Sequence, residues 1–107
     1  MMREVDQRAA RKLKRRLLAA GVPLLEMKIF GSRARGDARP DSDLDIFLVL
    51  GARSRDIERS IDRVAWEVGY ETGRIIMTFE CTQSEMSGLP LRAAPILDEV
   101  RREGVPV

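Results

Sequence analysis

The sequence predicts an α/β fold, in which a small β-sheet is backed by helices. Segments with helical and with strand periodicity alternate along the chain in the order α-β-β-α-β-α. The chain has 107 residues, of which 44% are hydrophobic, and this size suits one domain with one core. We therefore expect residues 1–107 to form a single domain.

The first predicted element is an amphipathic helix over residues 3–20. Its apolar stripe is formed by Val5, Ala9, Leu13 and Leu17, which recur every four residues. Many of its other positions are basic, and a solvated helix face is the expected explanation. A nucleic-acid-binding face is the alternative, although no aromatic residues interleave with the cations as single-strand binding would favour.

Two strands follow, predicted over Leu24–Phe30 and Leu44–Leu50. The segment between them is charged and rich in Gly, Pro and Asp, so it reads as a loop that can hold one helical turn after Ser32. A long polar loop in a small domain is a reasonable place to look for function.

The second half of the chain predicts a helix capped by Ser54 and running to about Tyr70, a strand over Arg74–Cys81 and a last helix over about Ala94–Arg102. Period-two alternation divides the third strand into two faces. One face carries Ile75, Met77 and Phe79, and the other carries Ile76, Thr78 and Glu80.

Three further side chains have expected positions. Trp66 and Tyr70 lie on the second long helix, where packing in the core or at an interface is more plausible than stacking on a nucleic-acid base. Cys81 ends a strand beside apolar residues, which predicts a buried and inert thiol.

The composition excludes several kinds of site. The chain has no histidine, so it has no Ser-His-Asp triad, no Cys-His pair and no imidazole base. Its one cysteine excludes an internal disulfide and suits a reducing cytoplasm. Neither a signal peptide nor a membrane-spanning run is visible, so we expect a cytoplasmic protein. The net charge of +2 favours no class of partner.

Two acids open the second strand. Asp43 and Asp45 stand two positions apart, so both side chains project from one face while Leu44 points to the other. Carboxylates held this close repel each other, and a cation between them relieves that repulsion. Oxygen ligands select a hard divalent ion, so the pair predicts a site for Mg²⁺ or Mn²⁺.

An anion site is expected at the end of the first strand. Gly31 allows the backbone to approach a ligand closely, and Ser32 offers a hydroxyl group. A helical turn starting here would direct free N–H groups at a phosphate. An anion cradle facing a pair of metal-binding acids is what a metal-bound nucleoside triphosphate requires.

Residues 31–50, GSRARGDARPDSDLDIFLVL, resemble the signature of the DNA polymerase β-like nucleotidyltransferase superfamily in its minimal prokaryotic form. The resemblance implies a polymerase β-like palm with a small mixed sheet of three or four strands. It implies that Gly31 and Ser32 bind the nucleotide's phosphates and that Asp43 and Asp45 are the catalytic metal ligands. Arg33 and Arg35 would reach phosphates, with ordinary loop solvation as the alternative.

The resemblance also implies an activity and a partner. The expected reaction is metal-dependent transfer of a nucleoside monophosphate from an NTP, with ATP the first choice, to a hydroxyl on a protein or nucleic acid. Small members of the superfamily are often antitoxins paired with a HEPN-type helical toxin, so we expect such a partner, or a homo-oligomer. Nucleic acid enters this scheme only as an acceptor.

The third strand departs from the superfamily's pattern, which places a third carboxylate there. Positions 75–77 carry no acid, and Glu80 is the candidate replacement. Without a replacement the general base is missing or is supplied by water or substrate, and this departure favours an alternative function. In that alternative the chain is a catalytically weak nucleotide-binding or antitoxin module acting by protein contact. The candidate contact residues are Leu89, Leu91, Ile96 and Leu97, for which packing in the core is the default explanation.

Overall fold

A mixed four-stranded sheet organises the fold in the computed structural model, which describes residues 2–88 and 95–107. Its strands are β1 (Leu24–Phe30), β2 (Leu44–Leu50), β3 (Ile76–Thr82) and β4 (Val105–Pro106), in the spatial order β3-β2-β1-β4. β1 is antiparallel to both β2 and β4, whereas β2 and β3 are parallel. The predicted fold class is therefore confirmed.

Helices connect and cover these strands. Their bounds are α1 (Glu4–Ala19), α2 (Gly31–Arg35), α3 (Arg55–Thr72), α4 (Gln83–Ser87) and α5 (Pro95–Glu103). α3 is the crossover between parallel β2 and β3, because strands that run in the same direction cannot be joined by a tight turn. Among the described helices, none combines the length and apolar character that crossing a bilayer requires.

β2 is buried on both faces and so divides the core into two layers. On one side its even-numbered residues pack against α1 and α3, with Leu13, Leu17, Ile61 and Val68 among the buried contacts. On the other side Phe47 and Val49 pack with Leu97 and Val100 of α5. Asp45 belongs to this second face by strand alternation, just beyond the edge of its apolar cluster.

The predicted bounds of the main elements agree with the structure, and β1 and β2 agree to the residue. The Ser54 side chain caps α3 as expected, accepting a hydrogen bond from the Ile57 N–H at 3.2 Å. α4 and the two-residue strand β4 were not predicted from the sequence. α4 begins with a capping box formed by Thr82 and Glu85, a pattern that was readable in the sequence.

Several side chains differ from expectation. Val5 is exposed, and Asp6 takes its place on the buried face of α1. Trp66 and Tyr70 are exposed and stack on each other with ring centroids 5.6 Å apart, so they do not belong to the core. Cys81 is buried as predicted, and burial raises the pKa of its thiol.

The apolar contact surface expected near the C-terminus is only partly described. Leu97 is buried in the α5 core and is not available for contact with a partner. Ile96 packs against the same cluster and is half-buried. Leu89, Leu91 and Ala94, the last being the predicted start of the final helix, lie outside the described residues.

Candidate nucleotide and metal site

The main chain at Gly31 lies directly against the Asp45 carboxylate. Phe30 pairs with Asp45 across β1 and β2, and α2 starts at the next residue. Gly31 adopts a φ of +75°, a region that favours glycine. A Cβ atom built on Gly31 would lie 2.5 Å from Asp45 Oδ2, so no larger residue fits without moving the carboxylate. This proximity of backbone and acid was expected from the sequence.

The first turn of α2 places Ser32 beside Gly31. The N–H groups of a helix's first turn have no partner within the helix, which makes them available to an anion. Ser32 is half-buried, and its hydroxyl forms no hydrogen bond with the part of the chain that the structure describes. The turn ends at Gly36, whose N–H donates to the Ser32 carbonyl oxygen at 3.0 Å.

Asp43 and Asp45 are both half-buried, and neither carboxylate pairs with another described residue. Burial raises the pKa of Asp45, and the negative charges of Asp43 and Glu99 raise it further, while Arg35 opposes them. The Asp45 carboxylate is therefore an anion held near other anions, the condition that a bound cation relieves.

The neighbouring strand offers no third carboxylate at this position. In the parallel register of β2 and β3, Met77 is the residue beside Asp45. Glu80 lies beside Leu48, three residues further along, which is about 10 Å away along the strand and on the opposite face. Burial and the charge of Asp62 on α3 raise the pKa of Glu80, in keeping with that face. Glu80, the candidate replacement for the third carboxylate, therefore does not lie on the face that carries Asp45.

No other described residue adds a third metal ligand to Asp43 and Asp45 either. Across residues 2–88 and 95–107, no three Asp, Glu, His or Cys side chains converge in a way that could hold a metal ion. Two carboxylates are a sufficient protein contribution for Mg²⁺ when a substrate supplies phosphate oxygens, because this ion keeps most of its ligands as water and phosphate. The residues present thus fit a metal bound together with a nucleotide.

Arg33 occupies a different position from the one expected of a phosphate ligand. Its side chain is only 2% exposed, and its guanidinium donates to the carbonyl oxygens of Ser42, at 2.7 Å, and Pro40, at 3.3 Å. A third contact, 3.5 Å long, reaches the carboxylate of Asp6 on α1. Arg33 therefore holds the loop that leads into Asp43, and its guanidinium is buried against these partners.

Asp6 is the residue that sequence reasoning missed. It is 1% exposed and joins Arg33 to Arg74, whose Nε lies 2.8 Å from Asp6 Oδ1. The network ties α1 to the loop before β2 and to the residues before β3. A signal was present, because Asp6, Ala10, Leu13 and Leu17 follow one face of the helix.

Arg35 links the site to α5. Its guanidinium pairs with Glu103 at 2.8 Å, Asp37 at 3.2 Å and Glu99 at 3.8 Å. These contacts bring the acidic side of α5 within electrostatic range of Asp45. Arg35 is exposed, so the pairs contribute little to stability, but they set the charge on this side of the site.

The basic face of α1 has partners within the fold. Lys12 and Arg16 both bond Glu71 on α3, at 3.0 and 2.9 Å, and Lys14 Nζ donates to the Val107 carbonyl oxygen at 2.7 Å. These contacts favour the solvated, structural explanation of the charges on this helix over a nucleic-acid-binding one.

Comparison with known proteins identifies a family whose sequence model this chain matches. Residues 8–101 match the sequence model of the nucleotidyltransferase domain. No curated protein sequence gives a significant match. Among solved structures, a protein assigned as a minimal nucleotidyltransferase is 26% identical with a TM-score of 0.62, and the alignment covers 98% of this chain and 97% of that one.

Chains from two toxin–antitoxin structures share the fold at lower identity. One structure, solved with AMP-PNP, aligns with a TM-score of 0.64 and 19% identity over 91% of this chain and 70% of that chain. The other contains a tri-AMPylated HEPN toxin from Shewanella oneidensis with its MNT antitoxin. It aligns with a TM-score of 0.58 and 17% identity over 94% of this chain and 70% of that chain.

Proposed function

The chain belongs to the nucleotidyltransferase domain family, and from that premise we propose that it transfers a nucleoside monophosphate from an NTP to a hydroxyl group in a metal-dependent reaction. The observation that carries the proposal is the contact between the Gly31 main chain and the Asp45 carboxylate. The contact supports the proposal because the first turn of α2, which we propose binds phosphate, then lies next to the acids that we propose bind the metal. ATP is the NTP that we propose to test first.

Each residue of the site has a proposed role. The main-chain amides at Gly31 and Ser32 and the Ser32 hydroxyl hold the triphosphate. Asp43 and Asp45 hold Mg²⁺ or Mn²⁺, and the metal, when bound, neutralises the charge that develops on the phosphates. Arg33 acts as a positioning residue, because it bonds the Ser42 carbonyl oxygen next to Asp43.

The chemical step follows the family's reaction. The oxygen of the acceptor hydroxyl attacks the α-phosphorus, the bond from that phosphorus to the bridging oxygen breaks, and pyrophosphate leaves. The acceptor's proton needs a base. With Met77 beside Asp45 and no histidine in the chain, we propose that water or a phosphate oxygen takes the proton. Transfer without a positioned base is slower by about 10²–10⁴-fold.

The acceptor is proposed to come from another molecule. Residues 1–107 are proposed to be one catalytic domain. Because the chain shares its fold with an MNT antitoxin solved with its HEPN toxin, we propose a toxin of that helical type as the partner and a protein or nucleic-acid hydroxyl as the acceptor. A reducing cytoplasmic location fits the lone buried thiol of Cys81.

Nucleotide binding can be tested with a matched set of variants. Calorimetry with ATP and Mg²⁺ should give at least about tenfold weaker binding for Asp43→Asn and Asp45→Asn than for the unchanged protein. Asp41 lies at an exposed position two residues before Asp43. Asp41→Asn removes the same charge there, and this variant should bind ATP normally. Equal binding by the unchanged protein and Asp45→Asn would overturn the proposed site.

A second candidate function is favoured by the residue at position 77. Because Met77, and not an acid, lies beside Asp45 on the neighbouring strand, the chain is alternatively a weak enzyme that neutralises its partner by contact alone. Incubation with labelled ATP and the co-purified partner separates the two functions. Label transfer that is lost in Asp43→Ala supports the enzyme, whereas neutralisation that survives this substitution supports the contact module.

A further inference from the structure

The edge of the sheet at β3 carries an exposed apolar surface that the proposed chemistry does not use. Five large side chains, each between 37% and 79% exposed, lie on or beside this strand: Trp66, Tyr70, Ile75, Met77 and Phe79. We refer to these residues together with Thr78 as the β3 edge surface. A long apolar edge strand is a site at which other chains add to a sheet.

The backbone of this edge is open. The Leu44 N–H donates to the Ile75 carbonyl oxygen, so the odd-numbered residues of this segment direct their N–H and C=O groups at β2. The even-numbered residues Ile76, Thr78 and Glu80 direct theirs outward. β3 has no neighbour on that side within the described sheet. The opposite edge, β4, is only two residues long.

Charge is distributed unevenly along the same edge. A cavity of about 520 Å³ lies between α3 and β3, with Trp66 and Tyr70 among its lining residues. Arg74, which precedes β3, and Asp62 on α3 also line it. Glu80 extends the acidic end, since Asp62 lies close enough to raise the pKa of its carboxyl. The edge is therefore basic just before β3, at Arg74, and acidic in the second half of β3, at Glu80.

We propose that a second copy of this chain docks on the β3 edge surface, with the two β3 strands antiparallel and Thr78 on the two-fold axis. An outward-facing residue at the axis forms a hydrogen-bonded pair with its own symmetry mate. The two four-stranded sheets then become one continuous sheet, with an Asp45 site from each copy on the same face.

The sequence of β3 is self-complementary in this register. Met77 of each copy lies opposite Phe79 of the other, which covers apolar side chains that are 43% and 37% exposed in the single chain. On the other face, Arg74 lies diagonal to Glu80 of the second copy. Asp6 is shared between Arg33 and Arg74, so this group of three keeps a net positive charge, and the basic end of one edge meets the acidic end of the other. A parallel arrangement would instead set like charges together.

One existing contact lies at the margin of this interface. Arg53 donates from Nη2 to the Glu80 carbonyl oxygen at 2.6 Å, which is the outward acceptor at the end of the edge. A carbonyl oxygen has two lone pairs, so it can accept from Arg53 and from a second strand together. The outward groups of Ile76 and Thr78 have no such contact within the described chain, and these central residues would carry the pairing.

The test uses Trp66, the only tryptophan in the chain, as a reporter. We expect light scattering on a sizing column to show a dimer at high protein concentration that dissociates on dilution. The Trp66 emission should move to shorter wavelength over the same concentration range, because the indole leaves water when the edge is covered. A protein that stays monomeric at every concentration, or a dimer whose Trp66 emission does not change, would overturn the proposal.

Two variants and a control locate the interface. Thr78→Pro removes an outward N–H without removing a hydrogen bond to β2, and proline is tolerated on edge strands. Thr78→Lys places like charges at the axis. Each should weaken dimerisation by at least about tenfold while circular dichroism stays unchanged. Leu18→Lys, at an exposed apolar position on α1, should dimerise normally. A dimer that survives both substitutions at Thr78 would place the interface elsewhere and contradict the proposal.

Discussion

Met77 lies directly beside Asp45 on parallel strands, so both side chains project from the same face of the sheet. Substitution of Met77 by aspartate would therefore bring a third carboxylate to Asp43 and Asp45, the pair that we propose as metal ligands. We expect Met77→Asp to bind Mg²⁺ or Mn²⁺ in the presence of ATP about tenfold more tightly, equivalent to about 1.4 kcal/mol. Titration calorimetry and the rate of label transfer from ATP would measure the effect.

Glu80 provides the control for that experiment. It is the acidic residue of β3, but it lies on the opposite face from Asp45. Glu80→Gln should leave metal and nucleotide affinity unchanged. If this variant lost affinity and Met77→Asp gained none, the register between β2 and β3 would not describe the working site.

A second prediction concerns the close approach at Gly31. Gly31→Ala should lose about 1–2 kcal/mol of stability from its positive φ, and it should also lose ATP binding, because the new methyl group would displace the Asp45 carboxylate. Gly73 is a matched control, with a φ of +69° and open space where a Cβ would lie. Gly73→Ala should lose similar stability yet bind ATP normally. Normal binding by Gly31→Ala would contradict the proposed contact.

The third prediction is a pH dependence of stability. The pKa of Asp45 is raised above its ordinary value of 3.8, so the folded chain holds this proton more tightly than the unfolded chain does. The ionised carboxylate thus costs stability at neutral pH, and that cost disappears as the pH falls through the raised pKa toward 3.8.

The stability of Asp45→Asn, compared with that of the unchanged protein, tests whether the ionised carboxylate lowers stability at neutral pH. Without metal, the variant should be the more stable protein at pH 7, by less than about 1 kcal/mol because water screens a half-exposed carboxylate. The difference in stability between the two proteins should disappear below the ordinary pKa of an aspartate. At neutral pH, Mg²⁺ with ATP should make the unchanged protein the more stable one. Thermal unfolding over a pH series would measure both effects. A variant that is less stable at pH 7 would refute the assigned cost.

The fourth prediction concerns the buried network of Asp6, Arg33 and Arg74. Asp6→Asn leaves the buried Arg33 guanidinium without its counter-charge, and such a loss costs about 3–5 kcal/mol. Glu4, in the same first turn of α1, pairs with Arg8 at the surface, so Glu4→Gln should cost no more than about 1 kcal/mol. Urea unfolding would compare the two, and equal losses would show that the buried network does not tie α1 to the site loop.

The main elements of the fold could be predicted because their signals are local. The bounds of β1 and β2 follow from apolar runs that end at turn residues, and the start of α3 follows from its Ser54 cap. The contact between Gly31 and Asp45 could also be predicted. When two adjacent strands are antiparallel, the end of the first and the start of the second lie at the same end of the sheet. In each case the residues that determine the feature lie within about twenty positions of one another in the sequence. The geometry of strands and turns then fixes how they are placed relative to one another.

Contacts between distant segments were decided only by the tertiary structure. Period two assigned Glu80 and Met77 to opposite faces of a strand, but only the register across the α3 crossover shows that Met77 is the one beside Asp45. Likewise Arg33 resembled a phosphate ligand until Asp6, on a different helix, was found to pair with it. Side-chain periodicity is a property of one segment, whereas register and burial depend on how segments pack, and no local pattern encodes that.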